Sequence, residues 1–351
     1  MKPTLHVLAN PYGITHTRYR MDPFNVAVLK FIENMAPKGY EIIHYGHESS
    51  SVPCEHVKCV TNDEQPPPEH DKVFLSDPTI NQAYTTRADG EIARRKKRGD
   101  MILCFYGWAH QATTKNHSDL HIVEPSIGYS LESVFAPYRA FVSYSQMHYY
   151  YGLHKKMESP SWYDAVIPNA FTPSEFEFCD EKEDYFVYLG RIIKSKGIDI
   201  AVQVTRHLGK KLKIAGPGDL RHLGYTKIPD HVEFVGYVNP EQRKELLKKA
   251  QCLMAPTYYC EPFGNIVAEA QFCGTPVITT DWGGFVDNVV QGVTGYRCRD
   301  FKSFVEAAQT VDQLEPANCR SWAEQNFSDE VVHNQFDTWL TKISVGNFYH
   351  V

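Results

Sequence analysis

Short apolar runs alternate with helical patterns along most of the chain. Residues 252–255 form an apolar run of the length expected for a buried parallel strand. Residues 24–35 carry apolar side chains at helical spacing, after an Asp22-Pro23 pair that suits a helix start. The alternation predicts doubly wound parallel sheets, an α/β fold. The pattern predicts strands at 5–9, 40–45, 101–106, 120–123, 141–143, 185–191, 212–215, 232–235, 252–255 and 277–280.

Residues 172–184 interrupt this alternation with Pro173 and an acidic run that has few branched aliphatic side chains. A chain of 351 residues is long enough for two domains. We therefore expect a first domain at 1–171, a second at 172–329, and a helix within 330–351 that crosses back to the first domain.

Composition narrows the class of protein. Hydrophobic residues make up 42% and charged residues 22%, which is typical of a soluble globular protein. No apolar run reaches the ~18 residues of a membrane span, and the N-terminus lacks a signal-peptide pattern. The nine cysteines form no C-x-x-C pair, which indicates reduced thiols in the cytoplasm and no zinc site. A net charge of −6 provides no general basic field for nucleic acid.

The candidate chemistry centres on residues 261–269, which follow the buried run at 252–255. The pattern predicts a strand, a turn and a helix that begins near Phe263 and stops at Gly274. The turn would lie at the carboxyl end of a strand, where open α/β sheets bind ligands. Two carboxylates, Glu261 and Glu269, bracket this segment.

Each part of this segment suits a different group of a ligand. Gly264 lets a ligand approach the backbone, and the first amides of the helix suit a phosphate. Glu261 could accept hydrogen bonds from sugar hydroxyls, and Glu269 from a ribose diol. The plainer alternative is that both acids cap or solvate a surface helix.

Further motifs follow other predicted strands of the second half. Gly190-Arg191 is followed by Lys196-Gly197, and two cations above a strand end can clamp a diphosphate. Gly216-Pro217-Gly218 and Gly283-Gly284 open the backbone after later strands, and residues 292–295 suggest a hairpin-like turn.

Together, these motifs resemble the nucleotide-sugar domain of retaining glycosyltransferases with the GT-B fold, glycosyltransferase family 4 (group 1). The resemblance runs from Val166-Ile167-Pro168-Asn169 to Gly295-Tyr296. It implies two Rossmann-like domains facing a cleft, with a nucleotide-sugar donor and a hydroxyl acceptor. It also implies transfer without a metal or other cofactor, because cationic side chains and helix amides stabilise the leaving diphosphate.

The resemblance also implies roles for individual residues. Arg191 and Lys196 would hold the diphosphate, Glu261 would lie near the donor sugar, and Glu269 would bind the ribose. The other implied donor-binding residues are Gly13, Gly190, Gly216, Phe263, Gly264, Asn265 and Ile266.

The first half departs from the family pattern in two places. The expected histidine after a central strand is not evident, so Glu124, Ser126 or His110 stands as the acceptor-side candidate. Pro11-Tyr12-Gly13 replaces the usual glycine pair of the first loop. Arg18 and Arg20 are candidate contacts for a phosphate or an acidic acceptor, or plain surface charges.

We therefore expect a retaining hexosyl- or pentosyltransferase that uses a UDP- or GDP-sugar. One alternative acceptor is a hydroxymethylated base in phage or viral DNA, suggested by the basic run at 94–98, which otherwise suits a solvated helix end. A second alternative is a nucleotide-sugar-binding protein without catalysis, and a weaker one is an epimerase. The donor base, the acceptor and the oligomeric state stay open at this point.

Overall fold

A computed structural model describes residues 2–20, 22–69 and 75–346. The chain divides into two compact units. Unit 1 comprises the chain up to Val142, Met147–Ala170, and the chain from Val332 onward. Unit 2 comprises Ser143–Gln146 and Phe171–Val331.

Within the described residues, unit 1 contains a seven-stranded parallel sheet with the order β3-β2-β1-β4-β5-β6-β7. Its central strands are buried along their whole length, as expected for a sheet covered on both faces. The strands are β1 (Leu5–Leu8), β2 (Ile42–His47), β3 (Glu55–Val60), β4 (Met101–Cys104), β5 (His121–Ile127), β6 (Tyr138–Phe141) and β7 (Ala165–Val166).

Unit 2, over the same described part of the chain, contains a six-stranded parallel sheet with the order β10-β9-β8-β11-β12-β13. Because all neighbours are parallel, the carboxyl ends of these strands meet at one edge of the sheet. The strands are β8 (Phe186–Leu189), β9 (Leu212–Ala215), β10 (Val232–Gly236), β11 (Cys252–Ala255), β12 (Val277–Thr280) and β13 (Gly295–Cys298).

Helices connect the strands and cover the sheets. The Asp22 side chain accepts the Phe24 N–H at 2.9 Å and caps the first helix, with Pro23 at its first position. The helices are α1 (Pro23–Met35), α2 (Pro78–Arg95), α3 (Gln111–Thr114), α4 (Tyr144–Leu153), α5 (Ile198–Leu208), α6 (Pro240–Lys249), α7 (Asn265–Phe272), α8 (Phe285–Asn288), α9 (Phe301–Thr310), α10 (Pro316–Phe327) and α11 (Asp329–Val345).

The last helix belongs to unit 1 from Val332 onward. Phe336 and Trp339 of α11 are buried in one apolar cluster with Leu5 and Val7 of β1. None of the helices in the described ranges is long and apolar enough to cross a bilayer.

The predicted strands at 212–215, 252–255 and 277–280 are confirmed with the same bounds. Strand β3 was not predicted; it is an edge strand with exposed polar positions at Glu55 and Lys58. The turn predicted at 292–295 is present over residues 292–294, but it is not a hairpin, because it leads into β13, which pairs parallel to β12.

Candidate functional site

The site begins where two loops of unit 2 meet at the carboxyl edge of the sheet. One loop follows β8 and carries a single 3₁₀ turn at Lys194–Lys196. The other follows β11 and leads to α7. The Tyr258 N–H donates to the Ser195 carbonyl oxygen at 2.8 Å and fixes one loop to the other. This contact places Lys196 beside the carboxylate that precedes α7.

Two side chains converge on a single carboxylate oxygen of Glu261. Lys196 Nζ lies 2.5 Å from Glu261 Oε2, and the Tyr259 hydroxyl donates to the same oxygen at 2.7 Å. The Lys196 ammonium also lies 4.9 Å from the centroid of the Tyr259 ring. Lys196 and Glu261 have side-chain exposures of 19% and 17%, so this ion pair is partly shielded from water.

Burial alone would lower the pKa of Lys196, but the Glu261 carboxylate and the Tyr259 hydroxyl outweigh burial and raise it. Burial raises the pKa of Tyr259, with opposing contributions from Lys196 and Glu261. The lysine is therefore a cation and the phenol a neutral donor at neutral pH.

The backbone around Glu261 is held independently of its side chain. The Gly284 N–H donates to the Glu261 carbonyl oxygen at 2.6 Å. Helix α7 begins at Asn265, two residues later than predicted, because Gly264 adopts φ 87° and turns the chain before the helix. The first N–H groups of α7 therefore belong to Asn265 and Ile266.

The second predicted carboxylate, Glu269, has a partner that was not predicted from the sequence. Glu269 is buried on α7, and its Oε2 lies 3.0 Å from Nε of Arg243 on α6. The two groups form an ion pair, but their relative orientation does not meet the geometry of a hydrogen bond. No motif marks Arg243, since only the packing of α6 beside α7 brings it to Glu269. The Tyr259 contact was missed as well, although that residue lies two positions before Glu261.

The other predicted donor-binding residues of unit 2 differ in whether their backbone or their side chain is accessible to a ligand. A Cβ on Gly216 would lie 1.9 Å from the Gly190 carbonyl oxygen, so these two loops pack backbone to backbone. The Phe263 ring is buried against Phe327, which leaves only its backbone for a ligand. Arg191 is exposed, and its guanidinium makes no ion pair or hydrogen bond within the described ranges.

The acceptor-side candidate His110 is fully buried in unit 1. Its Nε2 donates to the Ala9 carbonyl oxygen at 2.9 Å, and its Nδ1 accepts the Tyr106 N–H at 3.3 Å. Burial lowers the pKa of His110 to about 4. The ring is thus neutral, with both nitrogens engaged by the backbone, which suits a structural role.

Glu124 and Ser126, the other two candidates, lie at the irregular end of β5. Glu124 is buried and accepts from the Tyr129 hydroxyl at 2.8 Å and the Ala136 N–H at 2.8 Å. Burial raises the pKa of Glu124 to about 7, although these hydrogen bonds oppose the rise. Ser126 has φ 57°, an uncommon conformation for a residue with a side chain, and its Oγ lies 3.5 Å from Asn169 Oδ1.

The first loop of unit 1 contains the remaining candidates. A Cβ at Gly13 would lie 2.1 Å from Asn25 Nδ2. Close packing therefore accounts for a glycine at this position. Arg18 is exposed and donates to the Glu69 carbonyl oxygen at 2.6 Å. Arg20 is also exposed and donates to the Thr17 carbonyl oxygen at 3.2 Å.

The basic run at 94–98 is largely neutralised by neighbouring acids. Arg95 pairs with Glu55 at 3.1 Å, and Arg94 pairs with Glu91. Lys96 pairs with Asp119 at 2.6 Å. These contacts fit the end of a solvated helix and add nothing to the case for a DNA acceptor.

Comparison with solved structures agrees with this architecture. Sucrose-phosphate synthase from Thermosynechococcus elongatus gives a TM-score of 0.71 at 16% identity, over 99% of this chain and 100% of that chain. A complex of Anabaena HepE with UDP-glucose gives 0.66 at 14% identity, over 96% of this chain and 99% of that one. The fold, with its two parallel-sheet α/β domains, is GT-B.

Comparison with sequence families identifies the second unit. Residues 174–326 match the family described as glycosyl transferases group 1. This match lies within unit 2 and includes no residue of unit 1. Glycogen synthase from Mycobacterium tuberculosis is 31% identical over 137 residues, which cover 36% of this chain and 33% of that protein. The chain thus matches well under half the length of this curated relative.

Proposed function

We propose that unit 2 binds a nucleoside-diphosphate sugar and that the protein transfers the sugar, with retained anomeric configuration, to a hydroxyl acceptor. The convergence of Lys196, Glu261 and Tyr259 at the carboxyl edge of a parallel sheet carries this proposal, because it lies inside the segment that matches the family. Unit 1 is proposed to bind the acceptor. Uridine is the first donor base to test, because a neighbour in fold binds UDP-glucose.

Each group of the donor has a proposed partner. Lys196 and the exposed Arg191 offset the charge of the diphosphate, together with the first N–H groups of α7 at Asn265 and Ile266. Glu269 accepts from the ribose hydroxyls. Glu261 accepts from hydroxyls of the donor sugar.

The proposed reaction proceeds on one face of the sugar. The bond from the anomeric carbon to the diphosphate oxygen breaks as the acceptor oxygen approaches on the same face. The acceptor proton passes to the leaving phosphate oxygen, and the cations and helix amides stabilise the released diphosphate. These groups suffice for the charge that develops, so we propose that no metal is needed.

The test is a panel of UDP-, GDP- and ADP-sugars, measured for binding by calorimetry and for turnover with simple hydroxyl acceptors. We expect one nucleotide class to bind, Lys196→Ala to weaken that binding by about tenfold or more, and Glu261→Gln to reduce turnover. Lys210→Ala is the matched control, since Lys210 pairs with exposed Asp184 in the same unit.

Other outcomes discriminate between the remaining alternatives. A protein that binds none of the nucleotide sugars would contradict the proposal. Binding without turnover on any acceptor would support a binding protein without catalysis, and interconversion of the donor sugar without an acceptor would support an epimerase. Salt-dependent binding to duplex DNA would support the alternative in which the acceptor is a hydroxymethylated base in DNA.

A further inference from the structure

Tyr259 makes a hydrogen bond to which the proposed function assigns no role. Its hydroxyl donates to Glu261 Oε2 at 2.7 Å, the same atom that lies 2.5 Å from Lys196 Nζ. Tyr259 is half-buried, and the Lys196 ammonium lies over its ring. The carboxylate therefore has two donors on one oxygen, one of them charged and one neutral.

A bound diphosphate would attract the two donors of Glu261 with different strength. A bound diphosphate competes with Glu261 for the Lys196 ammonium, because both are anions and the lysine has a flexible stem. The Tyr259 hydroxyl carries no charge, so the phosphate attracts it less strongly. Once Lys196 turns toward the phosphate, the tyrosine is the donor that still holds the carboxylate.

We propose that Tyr259 is a positioning residue that keeps Glu261 directed at the donor sugar while Lys196 binds the diphosphate. With Oε2 held by the phenol, Oε1 is the oxygen presented to the sugar hydroxyls. This inference rests on the proposed function and adds a residue to its site. Tyr259 acts through Glu261 and touches no reacting atom.

The test compares two adjacent tyrosines of one loop. Tyr259→Phe removes only the hydroxyl that holds Glu261. Tyr258→Phe is the matched control, because the Tyr258 hydroxyl donates to Asp199 Oδ2 at 2.9 Å and not to Glu261. Both variants are measured for affinity to the nucleotide sugar that the wild type binds, for affinity to the corresponding nucleoside diphosphate, and for kcat and KM.

We expect Tyr259→Phe to weaken binding of the nucleotide sugar by about tenfold and to lower kcat, the effect of one lost hydrogen bond to a charged group. Affinity for the nucleoside diphosphate should stay within about twofold, since the phenol acts on the sugar side. Tyr258→Phe should match the wild type in all these measurements. In a Glu261→Ala background, where the phenol has no side-chain acceptor left at position 261, Tyr259→Phe should add little further loss.

Three results would overturn the inference and leave the proposed function standing. One is a Tyr259→Phe protein that binds the nucleotide sugar like the wild type. The second is an equal loss of affinity for the nucleotide sugar and the nucleoside diphosphate, which would indicate a general structural defect. The third is full additivity with Glu261→Ala, which would show that Tyr259 does not act through Glu261. A wild-type protein that binds no nucleotide would instead remove the proposed function, and the inference with it.

Discussion

Glu269 and Arg243 are 26 positions apart in the sequence (269 − 243), yet Glu269 Oε2 and Arg243 Nε lie 3.0 Å apart. The carboxylate is almost fully buried, whereas 39% of the arginine side chain is exposed. One oxygen of Glu269 thus lies beside a cation of the neighbouring helix. This ion pair favours one orientation of the carboxylate.

Arg243→Ala is expected to weaken binding of a ribonucleotide donor by about tenfold, because Glu269 loses the cation that orients it. The loss should fall on recognition of the ribose. The measurement is therefore the ratio of affinities for UDP and 2′-deoxy-UDP, which should approach one in the variant.

Lys248→Ala is the control for that experiment. Lys248 lies on the same helix and pairs with Glu177 at 2.8 Å, away from Glu269. If this variant changed the ratio as much as Arg243→Ala does, the effect would come from α6 as a whole and the role assigned to Arg243 would be lost.

Gly216→Ala is expected to destabilise unit 2 strongly. Gly216 adopts φ 143°, and a Cβ there would lie 1.9 Å from the Gly190 carbonyl oxygen, an atom that cannot move without distorting β8. We expect a loss of about 3 kcal/mol or more in the free energy of unfolding, or no folded protein.

Gly224→Ala separates the two causes of that loss. Gly224 also has positive φ, 88°, but nothing lies within 4 Å of its built Cβ. Its replacement should cost about 1–2 kcal/mol from backbone conformation alone. Equal losses in urea unfolding of the two variants would show that the close approach of Gly190 contributes nothing.

The architecture could be predicted from the sequence because the central strands of both sheets are short and mainly apolar. The short runs at β9, β11 and β12 form covered strands with the predicted bounds. Edge strand β3 was missed because its outer positions, Glu55 and Lys58, are polar and break the apolar run.

The candidate site was accessible only in part. Glu261 and Glu269 stand out because they bracket a turn that follows a buried strand. The pairing of Glu269 with Arg243 depends on how α6 packs beside α7, which no spacing in the sequence encodes. Nor could the sequence indicate that His110 is enclosed, since a histidine after a strand suits a buried hydrogen bond as well as catalysis.

Trp339→Ala is expected to destabilise unit 1 by about 3–5 kcal/mol, the usual cost of truncating a large buried side chain. Trp339 of α11 is 5% exposed, and its Nε1 donates to the Tyr163 carbonyl oxygen at 2.7 Å. Thr338→Ala, at the exposed neighbouring position, should cost less than about 0.5 kcal/mol. A small effect of Trp339→Ala in chemical unfolding would mean that α11 contributes little to the core of unit 1.

His110→Gln is expected to make the stability of unit 1 less dependent on pH. The folded pKa of His110, about 4, lies below its ordinary value of 6.5, because burial disfavours the imidazolium. Between these values the unfolded chain binds more protons than the folded one. Stability contributed by the neutral ring is therefore complete above about pH 6.5 and declines as the pH falls toward 4, by at most about 1.4 kcal/mol per pH unit.

Glutamine can keep both hydrogen bonds without titrating, with its amide N–H₂ on the Ala9 carbonyl oxygen and its oxygen on the Tyr106 N–H. Urea unfolding at pH 7, 6 and 5 should show a shallower slope than in the wild type, with similar stability at pH 7. His110→Phe should flatten the slope too, but with a loss at every pH, because the Ala9 carbonyl oxygen loses its donor. Parallel slopes in wild type and His110→Gln would contradict the assignment, and loss of transfer activity in a folded His110→Gln protein would give His110 a part in the reaction.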